Sequence, residues 1–391
     1  SSKWSSLSFA ESLIFIILSL FNLNECKGTK NILHITYLCQ MRLFEEKGIK
    51  TTPISDLGEF ALIEHLTKDI KIKNKSSIKG VGDDAAVIDI GDKFHLLSTD
   101  LLVEGVHFDL AYTPLKHLGY KAVAVNVSDI CAMNAVAKQM TVGLALSNRF
   151  SVEALEELYA GINLACKKYN VDLVGGDTTS STSGLMISIS VLGEVVKDNI
   201  TYRNGAKVND LLVCTGDLGA SYLGLQLLKR EKEIFIENPK IQPDLGGNDY
   251  VLQRQLKPEA RIDLIKKLNE LEILPTSMID ISDGLSSEAL HLAKSSNVGI
   301  QIYEDKIPLD ITAINLAEEL NLNPVLCALN GGEDYELLFT INQEEYDKLK
   351  ADVDFSIIGH ISDQSEGNNF IAKDGSSHPL TAQGWDATKT G

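Results

Sequence analysis

Carboxylates that recur beside small residues mark where this chain could do chemistry. GVGDDAAV sets Asp83 and Asp84 between glycine and alanine, and the apolar segment Phe94 to Leu97 then delivers Ser98, Thr99 and Asp100 where the apolar pattern stops. Asp129 sits among small and apolar residues, Asp177 follows two glycines in LVGGDTTS, and Asp280 and Asp283 flank Ser282 in SMIDISDGL. Carboxylates and hydroxyls are hard oxygen ligands, the kind Mg²⁺ accepts while keeping some of its water. A lone Asp-Asp pair is most often a solvated turn. Repetition of one design at glycine and strand-end positions predicts instead a polynuclear Mg²⁺–phosphate site. It does not name a substrate.

These residues need elements to hold them. Leu57, Phe60, Ala61, Ile63, Leu66 and Ile70 have helical spacing behind an acidic start. Residues 85–90 and 94–98, joined by Gly91–Asp92, predict a hairpin. Residues 115–137 carry few charges and predict a helix buried nearly all round, in which Asn126, Ser128 and Asp129 must be satisfied internally. A buried carboxylate without a partner is costly, so Asp129 is either a metal ligand or a hydrogen-bonded core acid. Strands are expected at 139–146, at 171–179 ending in Gly175, Gly176 and Asp177, and at 186–195. Ser151 is the expected N-cap of a helix to Tyr169. The polar stretch 197–205 reads as an interdomain linker. Beyond it a strand runs into the glycines of TGDLG, helices are expected at 221–233 and 260–271 with a loop at 238–249, and a helix follows Asp283. Glu333 and Asp334 stand after two glycines and before a strand.

Composition narrows the class. At 391 residues, two domains of ordinary size are expected. With Lys+Arg 36 against Asp+Glu 54, the net charge of −18 argues against a nucleic-acid surface. An acidic protein can still hold a polyphosphate when metal ions lie between. The six cysteines lack C-x-x-C spacing, which indicates buried thiols in a reducing cytoplasm and neither a zinc site nor a disulfide scaffold. Leu13 to Phe21 is apolar but far short of the roughly 20 residues that span a bilayer, and no membrane partner is expected. Residues 1–40 read as a leader or non-native extension, and Met41 begins an ordinary N-terminus.

GVGDDAAV, STDLLVEGVHF, GYKAVAVNVSDICAMNA, LVGGDTTSS, YRNGAKVND, TGDLGAS, IDISDGL and NGGEDYELLF, in that order, closely resemble the thiamine-monophosphate kinase family over Met41 to Trp385. The resemblance implies an α/β (α+β), two-domain fold like that of aminoimidazole ribonucleotide synthetase. Residues 41–196 would form an N-terminal ATP/Mg²⁺-binding and dimerisation domain whose strands pair with a partner's into a dimeric β-barrel. Residues 197–391 would form a C-terminal α/β domain that completes the active site of a homodimer. It implies ATP- and Mg²⁺-dependent phosphorylation of thiamine monophosphate to thiamine diphosphate. Related ATP-dependent enzymes of the superfamily and a non-catalytic binding protein are the alternatives.

Carried over residue by residue, Asp83, Ser98, Thr99, Asp100, Asp129, Asp177, Asp280 and Asp283 match metal-site positions, and Asp100, Asp129, Asp283 and Arg203 carry the catalytic role. Tyr159, Gly176, Asp177, Arg203 and Ser282 match ATP contacts. His107, Glu333 and Trp385 match substrate contacts, although Trp385-Asp386 runs into ATKTG where the family continues Asp-His-Phe. Arg203 could neutralise polyphosphate charge or hold the linker.

Overall fold

Among the described residues, two sheets contribute to one buried core together with the helices that pack into it. The computed structural model describes residues 56–350 and 352–382; the expected leader and Trp385 lie outside the described residues. The first half comprises α1 (Glu59–Thr67), β1 (Ser77–Lys79), β2 (Ala86–Asp89), β3 (Lys93–Val103), α2 (Leu115–Ala132), β4 (Val136–Leu146), α3 (Val152–Tyr169), β5 (Asp172–Ser180) and β6 (Met186–Val196). Its strands form an open sheet in the order β1-β2-β3-β6-β4-β5, in which β4 and β5 pair in parallel.

The second half begins with β7 (Leu211–Thr215), α4 (Ala220–Glu237), α5 (Asp249–Leu256), α6 (Ile262–Glu270), β8 (Ser277–Asp280), α7 (Leu285–Ser296) and β9 (Gly299–Tyr303). It continues with α8 (Ile311–Glu319), α9 (Pro324–Asn330), β10 (Leu337–Ile341), α10 (Tyr346–Leu349), β11 (Phe355–Ser362), β12 (Asn369–Ile371) and β13 (Ser377–Pro379). Seven of these strands make a sheet in the order β13-β12-β9-β11-β7-β10-β8. The chain is thus a mixed α/β protein built on two sheets.

Several expectations change in detail. The β2–β3 hairpin is present, but β3 does not stop at Ser98. It continues to Val103 because β6 pairs with it from Lys93↔Val196 to Val103↔Met186, so Ser98, Thr99 and Asp100 lie within the strand. Similarly, β5 runs through Gly176 and Asp177 to Ser180, carried by its parallel pairing with β4. The helix expected to reach residue 137 ends at Ala132, where Asn134 turns the chain at φ 55° and its side chain donates to the Asn199 carbonyl at 2.8 Å. In α3, Ser151 caps the first turn, its hydroxyl accepting from the Ala154 amide at 3.2 Å.

Packing follows the strand period of two. In β6, Ile187, Ile189, Val191, Gly193 and Val195 are buried toward α2, while Ser188, Ser190, Leu192 and Glu194 between them are half-buried. Every residue of α2 from Leu118 to Ala132 is buried except Asp129, so this helix is enclosed as its sequence implied. The same core takes Val213, Leu337 and Phe339 from the second sheet with Leu264, Ile265 and Leu268 of α6. Their alternates, Leu212, Cys214 and Leu338, face the opposite side with Leu285, Ala289 and Leu292 of α7. Cys131, Cys166, Cys214 and Cys327 are free thiols.

Candidate active site

The turn before β2, the end of α2 and the end of β8 converge. One carboxylate oxygen from each of Asp84, Asp129 and Asp280 lies within 4.8 Å of the others. Neighbouring donors fix them. Ser128 Oγ donates to Asp280 at 2.6 Å, the Ser98 hydroxyl donates to Asp129, and Arg203 grips Asp84 with Nε at 3.1 Å and Nη2 at 2.6 Å. Burial pushes Asp84 up to about 7 even though Arg203 pulls against it. Burial likewise raises Asp100 and Asp280 to about 6. Asp129 stands well above the usual carboxylate range, from burial first and then from Asp100 and Asp280. Acids so crowded cannot all hold charge together without a cation. Their all-oxygen donor set fits Mg²⁺.

Asp100, Asp129, Asp280, Ser282 and Asp283 line a cavity of about 1020 Å³. Lys121, Val125 and Asp129, one helical turn apart on α2, also line it, as do His107 and Glu333. The Lys121 ammonium lies 2.8 Å from Glu333 Oε1. His107 Nδ1 accepts from the Val103 amide at 3.0 Å, and burial lowers its pKa, which favours the neutral ring.

The loops carrying Asp280–Asp283 and Glu333 are joined by backbone hydrogen bonds. The Ile281 amide donates to Glu336 O at 2.7 Å, the Tyr335 amide to Ile281 O at 2.8 Å and the Glu333 amide to Ser282 O at 2.6 Å. The geometry demands Gly332 at φ 71°, where a Cβ would press on Ser282 O. It also holds Glu333 and Tyr335 at φ 58° and 53°, conformations that non-glycine residues seldom adopt.

The expected site residues are not all brought together. Strand alternation turns Ser98 and Asp100 inward and Thr99 outward, where its hydroxyl bonds Ile189 O at 3.0 Å. Asp83 is held by Lys79 and by the Arg203 amide at 3.2 Å, and its neighbour Asp84 takes the place among the acids. Tyr159, Gly176 and Asp177 line a separate shallow groove with Val142 and Thr178. A side chain at Gly176 would collide with the Val142 carbonyl. Lys121 and Gln255 are the residues that sequence reasoning passed over, and of the Asp83–Asp84 pair the family resemblance carried only Asp83 into the metal site. For Lys121 a clue existed, because a lysine set among the small and apolar residues of this stretch must be paired if it is buried.

The description "AIR synthase related protein, N-terminal domain" matches residues 82–195 and "AIR synthase related protein, C-terminal domain" matches residues 207–368. Thiamine-monophosphate kinase of Bacillus subtilis is 33% identical over 339 residues, 85% of this chain and 100% of that protein. The protein of the same name from Buchnera aphidicola of Schizaphis graminum is 39% identical over 324 residues, covering 81% and 94% of the two chains. This chain belongs to the thiamine-monophosphate kinase family. A solved structure described as "AaThiL complexed with AMPPCP and TMP" superposes with a TM-score of 0.73 at 34% identity, covering 86% of this chain and 99% of that one. The two-domain AIR synthase-like fold is thereby shared. Within the family frame, the N-terminal match contains Asp84 and Asp129, and the C-terminal match contains Asp280 and Glu333, so the carboxylate cluster is assembled from both.

Proposed function

We propose that this protein transfers the γ-phosphoryl group of ATP directly to thiamine monophosphate, giving thiamine diphosphate and ADP. The observation that carries the reading is the cluster of Asp84, Asp129 and Asp280 on segments from both family-matched halves, beside a cavity with room for a substrate. A phosphate monoester has its second pKa near 6, so the acceptor is largely ionised at neutral pH and needs no general base. One of its oxygens attacks the γ-phosphorus in line; that O–P bond forms as the bond to the ADP oxygen breaks, and ADP leaves with the electron pair.

Asp83, Ser98, Thr99, Asp100, Asp129, Asp177, Asp280 and Asp283 are the proposed metal-site residues, joined by Asp84 on its geometry. Bound there, Mg²⁺ supplies positive charge against the phosphate oxygens. Tyr159, Gly176, Asp177, Arg203 and Ser282 are proposed to contact ATP, and His107, Glu333 and Trp385 the acceptor. The paired hydrogen bonds from Arg203 to Asp84 support its linker-holding role, since they tie the segment after β6 to the acids.

The reading includes a homodimer with a barrel formed across two first sheets. It is supported by that sheet's open face, where Leu97, Leu101 and Val174 are 44%, 47% and 62% exposed. It also divides the chain into a domain over 41–196 and another over 197–391, in a cytoplasmic protein. Among the described residues no helix is long and apolar enough to cross a membrane.

Chromatography of a reaction containing ATP, Mg²⁺ and thiamine monophosphate tests the activity. Thiamine diphosphate and ADP should appear in equal amounts. Normal ATP binding with no thiamine diphosphate would overturn the reading.

A further inference from the structure

Lys121 is 3% exposed on an enclosed helix, and taking an ammonium out of water is expensive unless close partners compensate. Its two recorded partners belong to the other half of the chain. Besides the 2.8 Å contact to Glu333 Oε1, its Nζ donates to the Gln255 carbonyl at 3.2 Å. Gln255, on α5, donates through Nε2 to the second oxygen of Glu333 at 2.9 Å. Its own side-chain oxygen accepts from Ser221 Oγ at 2.7 Å, which fixes the amide orientation. Both carboxylate oxygens of Glu333 are therefore held, one by α2 and one by α5, while Glu333 keeps a left-handed backbone beside the cavity.

We propose that Lys121 and Gln255 are positioning residues for the acceptor substrate, holding Glu333 in the one orientation in which it meets thiamine monophosphate. The inference rests on the proposed role of Glu333 as a substrate contact. The hold is directional as well as electrostatic. The ammonium offsets the carboxylate charge, and the amide, itself fixed by Ser221, sets the plane of the carboxylate. Neither residue belongs to the acid cluster, so the two ends of the cavity should respond to substitution separately.

Steady-state kinetics on Lys121→Met, Gln255→Met, Glu333→Gln and the Lys121→Met/Glu333→Gln double variant test this, with circular dichroism and melting curves to establish folding. Lys121→Met should raise KM for thiamine monophosphate at least tenfold while KM for ATP stays within twofold and kcat within threefold. The double variant should be no worse than the poorer single variant, because both changes disable one device. Independent, multiplying effects, or an unchanged KM for thiamine monophosphate in Lys121→Met, would overturn the proposal. An unaffected Glu333→Gln would remove the substrate role of Glu333 and the proposal with it, whereas an impaired Glu333→Gln beside a normal Lys121→Met overturns the proposal alone. Should Lys121→Met fail to fold, Gln255→Met reads the same orientation through the other oxygen. A raised KM for thiamine monophosphate supports the proposal, and an unchanged one refutes it.

Discussion

Crowded carboxylates store a pH dependence that a cation can erase. Burial holds Asp84 near 7 and Asp100 and Asp280 near 6 in the metal-free protein, against about 3.9 for an unfolded aspartate. Because the folded values are the higher ones, the folded state binds the extra protons. The stability they contribute is complete below about pH 4 and is lost as pH rises through about 6 to 7. In chelator, the melting temperature should therefore fall between pH 5 and pH 8, and Mg²⁺ should restore it at pH 8 by relieving the repulsion. A melting temperature indifferent to Mg²⁺ at pH 8 would count against a metal site. That acids would gather was legible from their recurrence beside glycines. Which of Asp83 and Asp84 joins them was not. Adjacent residues of an irregular turn have no fixed period, and the choice is made by Lys79 and Arg203, one claiming Asp83 and the other pairing with Asp84.

At the scale of elements, the short helix α5 fixes the loop that carries Glu333. Arg254 donates to Glu336 at 2.7 Å, to Asp217 O at 2.9 Å and to Asp334 O at 3.3 Å. Arg261 and Thr215 supply the remaining bonds to the Glu336 carboxylate. Glu336 and Asp334 are 1% and 2% exposed. Arg254→Met would take the ion partner from buried Asp334 and leave Glu336 with Arg261 alone, at a cost on the order of 3 kcal/mol. Urea denaturation should show an unfolding free energy lower by about that amount, read as a lower midpoint at unchanged slope, and an unchanged midpoint would contradict the account. This helix went unanticipated because it has only eight residues, with Tyr250, Val251 and Leu252 bunched together, too few and too close to mark a period. Where apolar content was high, as in α2 and β6, the elements were legible. Their ends were not, because partner strands decide how far β3 and β5 run.

For the whole molecule, the exposed face of the first sheet and the shared core pull in different directions. Leu97 and Leu101 project alternately from the open side of β3. If that side is the proposed dimer contact, Leu101→Asp should halve the mass measured by light scattering while each chain stays folded. A mass unchanged by the substitution would rule that face out. The two-sheet architecture was legible mainly through motif order, since no local period reports which sheets share a core. That core also makes α2 a caliper. Clamped between both sheets, the helix cannot lengthen or tilt freely, and its rise of 1.5 Å per residue sets Lys121 and Asp129 about 12 Å apart along its axis. An acceptor bound as proposed would be gauged by reach: with its phosphate at Asp129 it would have to extend to the Lys121–Glu333 pair, and a shorter molecule would engage only a single jaw.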